Sequence, residues 1–239
     1  MDPLAEERAW MTPYNYVQNN PILRIDPDGA LDSPIFDKDG NFLGVDSEGY
    51  TGEIIIMDRT AFNTVSRING NQPLNHDQVI IWAEKSPLAS KLDDADLTPE
   101  AYSKILTDVL DEMPDVEVSE LYNGEVSVLD RNRNASYNDP ENVLGLAETT
   151  VTSKGIKVTA NLYSGEGDSD LNMVTNIQNN LGAHEFIGHG KLGFGDKTRT
   201  HHKVYEFQMR HPTWDKTTKK YQRQMMDYYL DYRKRETGQ

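Results

Sequence analysis

The sequence predicts an α+β fold in which a hairpin-rich connector leads into a small antiparallel sheet and then a helix carrying a His-Glu motif. Three observations lead there. Residues 124–163 alternate apolar and polar, as in Glu125-Val126-Ser127-Val128-Leu129-Asp130, Ala147–Thr152 and Ile156–Leu162. That period of two belongs to half-buried strands. From Leu171 onward, Leu171, Val174, Ile177, Leu181 and Ile187 return at helical spacing. Before both, Asp-Gly and Pro-rich turns punctuate short apolar runs.

Composition narrows the partners. Asp and Glu outnumber Lys and Arg by 39 to 24 in 239 residues, a formal charge of −15. Such a field repels phosphate backbones, so nucleic acid is a poor partner. The chain has no cysteine, which excludes disulfides and thiolate metal ligands. It has no run of eighteen apolar residues, so no membrane partner is expected, and its first residues lack the basic-then-apolar layout of a signal peptide.

Taken in order, the first element is turn punctuation with aromatics between: Asp2-Pro3-Leu4-Ala5-Glu6, Thr12-Pro13-Tyr14-Asn15-Tyr16, Asn19-Asn20-Pro21 and Ile25-Asp26-Pro27-Asp28-Gly29. This series resembles the end of the conserved core of Rhs/YD-repeat proteins, with Thr12 where a Ser is usual. The resemblance implies that residues 1–29 are the remnant of a large β-shell and that the chain beyond is a variable, often toxic, effector. It further implies a chain secreted or delivered within a larger exported polypeptide, and an immunity protein as a partner. Residues 30–115 then read as a connector and 116–239 as the catalytic domain.

Within the connector, Pro34–Gly44 places apolar residues on either side of Asp39-Gly40 and predicts a β-hairpin. Its Asp-Lys-Asp-Gly-Asn string lacks the twelve-residue pattern of a calcium loop. A strand is expected over Glu53–Asp58, and helices over 75–92, capped by Asn75, and 98–113, capped by Thr98 with Pro99 at the first position. In the second helix Ala101, Ile105, Leu106, Val109, Leu110 and Met113 form a core stripe, and Pro114 ends it.

Five of the six histidines lie between 184 and 211. The motif Gly182-Ala183-His184-Glu185-Phe186-Ile187-Gly188-His189-Gly190 supplies two imidazoles and a carboxylate beside the first. A zinc hydrolase needs neutral imidazoles on a rigid element, a base beside the activated water and an open coordination position. The usual spacing is His-Glu-x-x-His. Here the histidines are five apart, which an ideal α-helix would set about 140° from each other. One widened turn restores them to one side, and such turns concentrate at functional sites. The string from His184 to Leu192 is similar to the HExxGH motif of the dipeptidyl peptidase III family. That resemblance implies His184 and His189 as metal ligands and Glu185 as general base and acid. The family's second motif, with an adjacent Glu pair, is missing, so its dipeptide-releasing specificity is not carried over.

A third ligand is required. His202 and Glu206 share a face at i, i+4 in a helical segment 201–208. In the glutamate-ligand zincins that ligand comes from a helix after the motif, and Glu206 fits it, with His202 as its neighbour or as donor to the developing oxyanion. The rival assignment makes His202 the ligand and Glu206 its orienting carboxylate. A phenol for the oxyanion could come from Tyr205, Tyr221, Tyr228, Tyr229 or Tyr232. Residues 213–235 predict a closing amphipathic helix with a basic face.

The expectation is a zincin-like, Zn2+-dependent metallopeptidase that hydrolyses peptide or protein substrates, with Glu185 and His202 catalytic and His184, His189 and Glu206 on the metal. An extended substrate would add to an edge strand, for which Ile156–Leu162 is the candidate. Two other readings stand beside it: a metal-dependent nuclease toxin using His201 and His202, and a non-catalytic binding module.

Overall fold

The computed structural model describes residues 34–47, 52–92, 94–129, 146–161, 171–195 and 200–238. The Rhs-like segment 2–29 lies outside the described residues. The protein is α+β, and it forms two compact units: residues up to Ala101 together with Asn172–Val174, and Tyr102–Leu171 together with Thr175 onward.

In the first unit, β1 (Pro34–Phe36) and β2 (Phe42–Val45) form the expected hairpin, with Ile35 opposite Gly44. Asp37 closes it. Its Oδ1 accepts from the backbone N–H of Asp39 and Asn41, and its Oδ2 accepts from Arg59 at 2.6 Å. Burial works to raise its pKa, but those donors hold the carboxyl below its ordinary value. The Asp-Lys-Asp-Gly-Asn string is thus a hairpin clamp. β3 (Ile55–Met57) runs parallel to β1 and antiparallel to β4 (Ala89–Lys91), giving the order β2-β1-β3-β4.

The core of this unit joins Ile35, Ile55, Met57 and Ala89 of the sheet to Leu74 and to Val79 of a helix, with the partly buried Ala61, Phe62 and Val65 of another packed against it. Helix α1 (Arg59–Ile68) was not anticipated in the sequence, although Ala61, Phe62 and Val65 recur at helical spacing, and it is started by Asp58, whose carboxylate accepts from Thr60 and Ala61 N–H. Helix α2 (His76–Lys85) starts at Asn75 as expected but stops short of residue 92. Pro87 cannot continue it and disfavours helical backbone at Ser86. The residues after it become β4, which completes the sheet.

The second unit supports the motif. Helix α3 (Pro99–Asp111) buries Ile105, Leu106, Val109 and Leu110 completely. Strands β5 (Ser127–Val128), β6 (Ala147–Thr152) and β7 (Gly155–Ala160) form a sheet in the order β5-β7-β6. The β6–β7 hairpin is antiparallel, but β5 pairs parallel to β7, so the sheet is mixed and not purely antiparallel. Strand β7 is consequently central, which corrects the expectation that Ile156–Leu162 is the edge. Among the described residues the edges are β5 and β6, of which β6 is the longer.

Helix α4 (Val174–Ile177) runs directly into a π-helix, Gln178–Lys191. Helix α5 (His201–Gln208) packs on it, and α6 (Lys219–Thr237) packs on α5. Helix α6 is the expected closing helix. Thr218 caps its start, Tyr221, Met225 and Tyr229 are its buried stripe, and Gly238 ends it at φ 70°.

Candidate metal centre

The site begins with a backbone choice. The widened turn expected between His184 and His189 is present, and it extends through a whole π-helix instead of one residue. Its closing bond is i→i+5, from Leu192 N–H to Ile187 C=O at 2.9 Å. In this register residues five apart stack, so the rings of His184 and His189 stand 5.0 Å apart, centroid to centroid. Such backbone is stable here because its surroundings fix it. Asn179 through Gly188 are all buried.

Glycines set how closely neighbours approach. A Cβ on Gly182 would lie 2.2 Å from Met113 Sδ, and one on Gly188 would lie 2.2 Å from Val204 Cγ2. Gly188 therefore seats α5 directly against the motif. Gly195, at φ +90°, has no room for a Cβ either, because the His189 ring would be 2.5 Å away.

That seating brings a third imidazole to the pair, and it is His201. Its ring centroid is 4.8 Å from His189 and 5.6 Å from His184. Ligand atoms of the three residues lie within 4.8 Å of one another, and this group could hold a metal ion. Glu206 is not brought there. Its Oε1 accepts from the hydroxyl of Tyr229 at 3.1 Å. His202 is also elsewhere, with Nδ1 2.7 Å from Glu236 Oε2. The reason is rotation. The stripe of α5 that faces the motif is His201, Val204, Tyr205 and Gln208, and His202 and Glu206 lie about 100° round the helix from His201 and Tyr205. The His201/His202 cluster invoked for a nuclease is divided in the same way.

Two of the imidazoles are oriented by hydrogen bonds from the ring nitrogen away from the group. His184 Nδ1 donates to Gln208 Oε1 at 2.7 Å, and the Gln208 amide is fixed by giving its own N–H groups to Asn179 Oδ1 and Tyr221 Oη. His189 Nδ1 donates to the carbonyl of Phe194. Both rings therefore keep a lone pair on Nε2, the tautomer a metal ligand needs. Burial, followed by repulsion from His189 and His201, holds His184 well below the usual imidazole range. Burial and His189 bring His201 down to about 4, against the opposing pull of Glu236. Three imidazole donors without thiolate or carboxylate suit Zn2+ and its borderline neighbours better than Mg2+ or Ca2+.

Glu185 is buried one residue beyond His184, and its Oε2 accepts from Thr149 Oγ1 of β6 at 2.7 Å. Burial raises its pKa, which the attraction of His189 and the Thr149 hydrogen bond oppose. These groups meet at a cavity of about 260 Å3, with Glu148 and Thr149 of β6 on one wall and Tyr205, Tyr228 and Tyr232 on another. Tyr205 is edge-on to His184 at 4.6 Å and is 6% exposed. Its hydroxyl has no hydrogen-bond partner among the described residues, and burial first, then the neighbouring Tyr232 and Glu185, raises its pKa well above the ordinary phenol. Of the other tyrosines weighed for this role, Tyr221 is engaged by Gln208 and Tyr229 by Glu206.

No protein-family model, curated protein or solved structure matches the chain.

Proposed function

We propose that the protein is a zinc-dependent peptidase of zincin type, with His184, His189 and His201 as the metal ligands. The observation that carries this reading is the convergence of three imidazoles, two of them held in the ligand tautomer, beside a buried carboxylate at the wall of a cavity. Bound by these three imidazoles, a zinc ion would supply Lewis acidity that activates water for attack near neutral pH.

The protein's own groups perform the rest. Glu185, anchored by Thr149, is the base that takes the proton of the attacking water and passes it to the leaving amine. Tyr205 donates its hydrogen bond to the oxygen that becomes negative in the tetrahedral transition state, the role the sequence pattern suggested for His202. An extended peptide adds along β6, whose residues Ala147–Thr149 border the cavity. The likeness of Asp2–Gly29 to the end of an Rhs core supports a further placement, as the effector of a longer exported chain.

The experiment is metal analysis of the purified chain with peptide hydrolysis as readout. About one zinc per chain is expected, retained in Glu185→Gln while hydrolysis disappears. A chain that holds no zinc, or a Glu185→Gln variant as active as its parent, defeats the reading.

A further inference from the structure

His201 differs from the other two imidazoles in how it is held. Its ring has no hydrogen bond among the described residues; instead it lies flat on Tyr232 of α6, with centroids 4.2 Å apart and planes within 8°. Its backbone is also held from α6. Thr200, at the start of α5, provides no side-chain cap. The first-turn N–H groups of His201 and His202 donate instead to Glu236 Oε1 and Oε2 at 3.1 and 3.2 Å, and the His202 ring donates to Oε2. Burial opposes ionisation of Glu236, yet the hydrogen bonds from His202 and His201 keep its carboxyl below the ordinary value. Tyr232 and Glu236 are one turn apart on one face of α6.

We propose that the last turns of α6 form a strap that positions the third ligand, with Glu236 capping α5 in trans and Tyr232 setting the plane of the His201 ring. Orphan N–H groups at a helix start carry partial positive charge, and a carboxylate is the partner that satisfies them best. His201 sits at the first position of α5, where an uncapped helix frays first. Without the Tyr232 stack the ring has no hydrogen bond and only the more distant Tyr205, at 5.5 Å and 27°, to hold its plane, so it could turn away from the pair and leave two ligands in place of three. The role of His202 follows: it is a ring that locks Glu236 in place, which is why it lies beside the ligand without being one. The proposal rests on the metal reading for the ring, but not for the cap.

The test uses the full chain with Tyr232→Ala, Tyr232→Phe, Glu236→Ala and Glu236→Gln. In the metal-free protein, Glu236→Ala should abolish hydrogen-exchange protection at the amides of His201 and His202 while the core amides of α3 keep theirs. Glu236→Gln, the milder change, should fall between. Zinc affinity, measured against a chromophoric chelator, should drop about 10–100-fold in Tyr232→Ala and Glu236→Ala, as for other groups that orient a ligand. Tyr232→Phe should keep the parental affinity because it keeps the ring face. Unchanged exchange in Glu236→Ala refutes the cap, and parental zinc affinity in Tyr232→Ala refutes the stack. A parent that takes up no zinc overturns the metal reading and the ring-positioning part with it, whereas the exchange rates still decide the cap.

Discussion

Gly188→Ala adds one methyl at the contact that brings α5 to the motif. That methyl would meet Val204 Cγ2 at 2.2 Å and the Ala183 carbonyl oxygen at 3.2 Å, where ordinary contacts are 3.4–4 Å. Whether the clash relaxes cheaply depends on the neighbour. Val204 is a fully buried β-branched residue in mid-helix, a setting with one strongly preferred rotamer, so its methyl cannot swing aside. The backbone of α5 must move instead. Overpacking of this kind costs roughly 1–3 kcal/mol, which for a domain of this size is a fall of about 2–12 °C in melting temperature. Because Val204 lies three residues from His201 on the same helix, the displacement should also draw the third imidazole off the pair. The assay is Co2+ substitution: the parent should show the intense visible bands of a four-coordinate site, and Gly188→Ala should lose intensity and affinity. Gly190→Ala is the comparison, since its new methyl meets an Ile156 side chain at 2.7 Å, away from α5. If Gly188→Ala melts and binds Co2+ like its parent, α5 does not bear on the motif as described and His201 loses its claim as a ligand.

Other perturbations check separate links. His201→Ala should cost far more zinc affinity than Glu206→Ala, and the reverse order would return Glu206 to the metal. Deleting one residue of Phe186–Gly188 to make His-Glu-x-x-His should turn everything after it out of the register in which residues five apart stack, and lose zinc; tighter zinc binding and faster peptide cleavage would show that the five-residue spacing is not what the site is built on. Tyr205→Phe should leave zinc content and substrate affinity unchanged and slow turnover about 100–1,000-fold, as removal of an oxyanion donor does; an unchanged turnover rate removes the phenol from the mechanism. Asp37→Asn should destabilise the first unit by about 1–3 kcal/mol at neutral pH through loss of charged hydrogen bonds. Because the Asp37 carboxyl is held below its ordinary value of 3.8, its stabilisation is present above that pH and is lost as pH falls through the lower, folded value. The gap between parent and variant should therefore close in acid, and a constant gap would mean that charge plays no part.

What could be read in the sequence follows from how local each determinant is. The hairpin at Asp39-Gly40, the caps at Asn75 and Thr98 and the stripe of α3 are set by neighbours in sequence, and all were legible. The widened turn was legible as well, because two ring positions and the geometry of a helix suffice to demand it. The end of α2 was misplaced although Pro87 marked it, since the apolar run continues past the proline into β4. Strand β7 was taken for an edge because pairing order is a tertiary fact: β5, which flanks it, lies more than twenty-five residues earlier in the chain. The third imidazole of the group needed the face of α5 that meets the motif. His202 and Glu206 drew attention as a ligand-like pair at i, i+4. The informative signal was the apolar Val204, which marks the buried side of that helix and brings His201, Tyr205 and Gln208 with it.

The five-residue spacing and the choice of His201 then turn out to be one arrangement. Shifting from α to π register adds a residue per turn and broadens the helix, so the motif offers its partner a wider surface. A neighbour carrying an ordinary side-chain interface would stand too far off for an imidazole from its first turn to reach the pair. Gly188 removes that distance by giving Val204 a seat against bare backbone, immediately before the second histidine. Gly182 does the same on the side of α3, where Met113 occupies the space a side chain would fill. With both flanks drawn in, ten consecutive residues of the widened helix are buried, and burial is what makes so unusual a register the cheapest one available. The bare backbone at 188 therefore brings the first turn of α5 to the motif, and the stripe that faces it carries His201, with Glu206 turned about 100° away from Tyr205 and engaged by Tyr229.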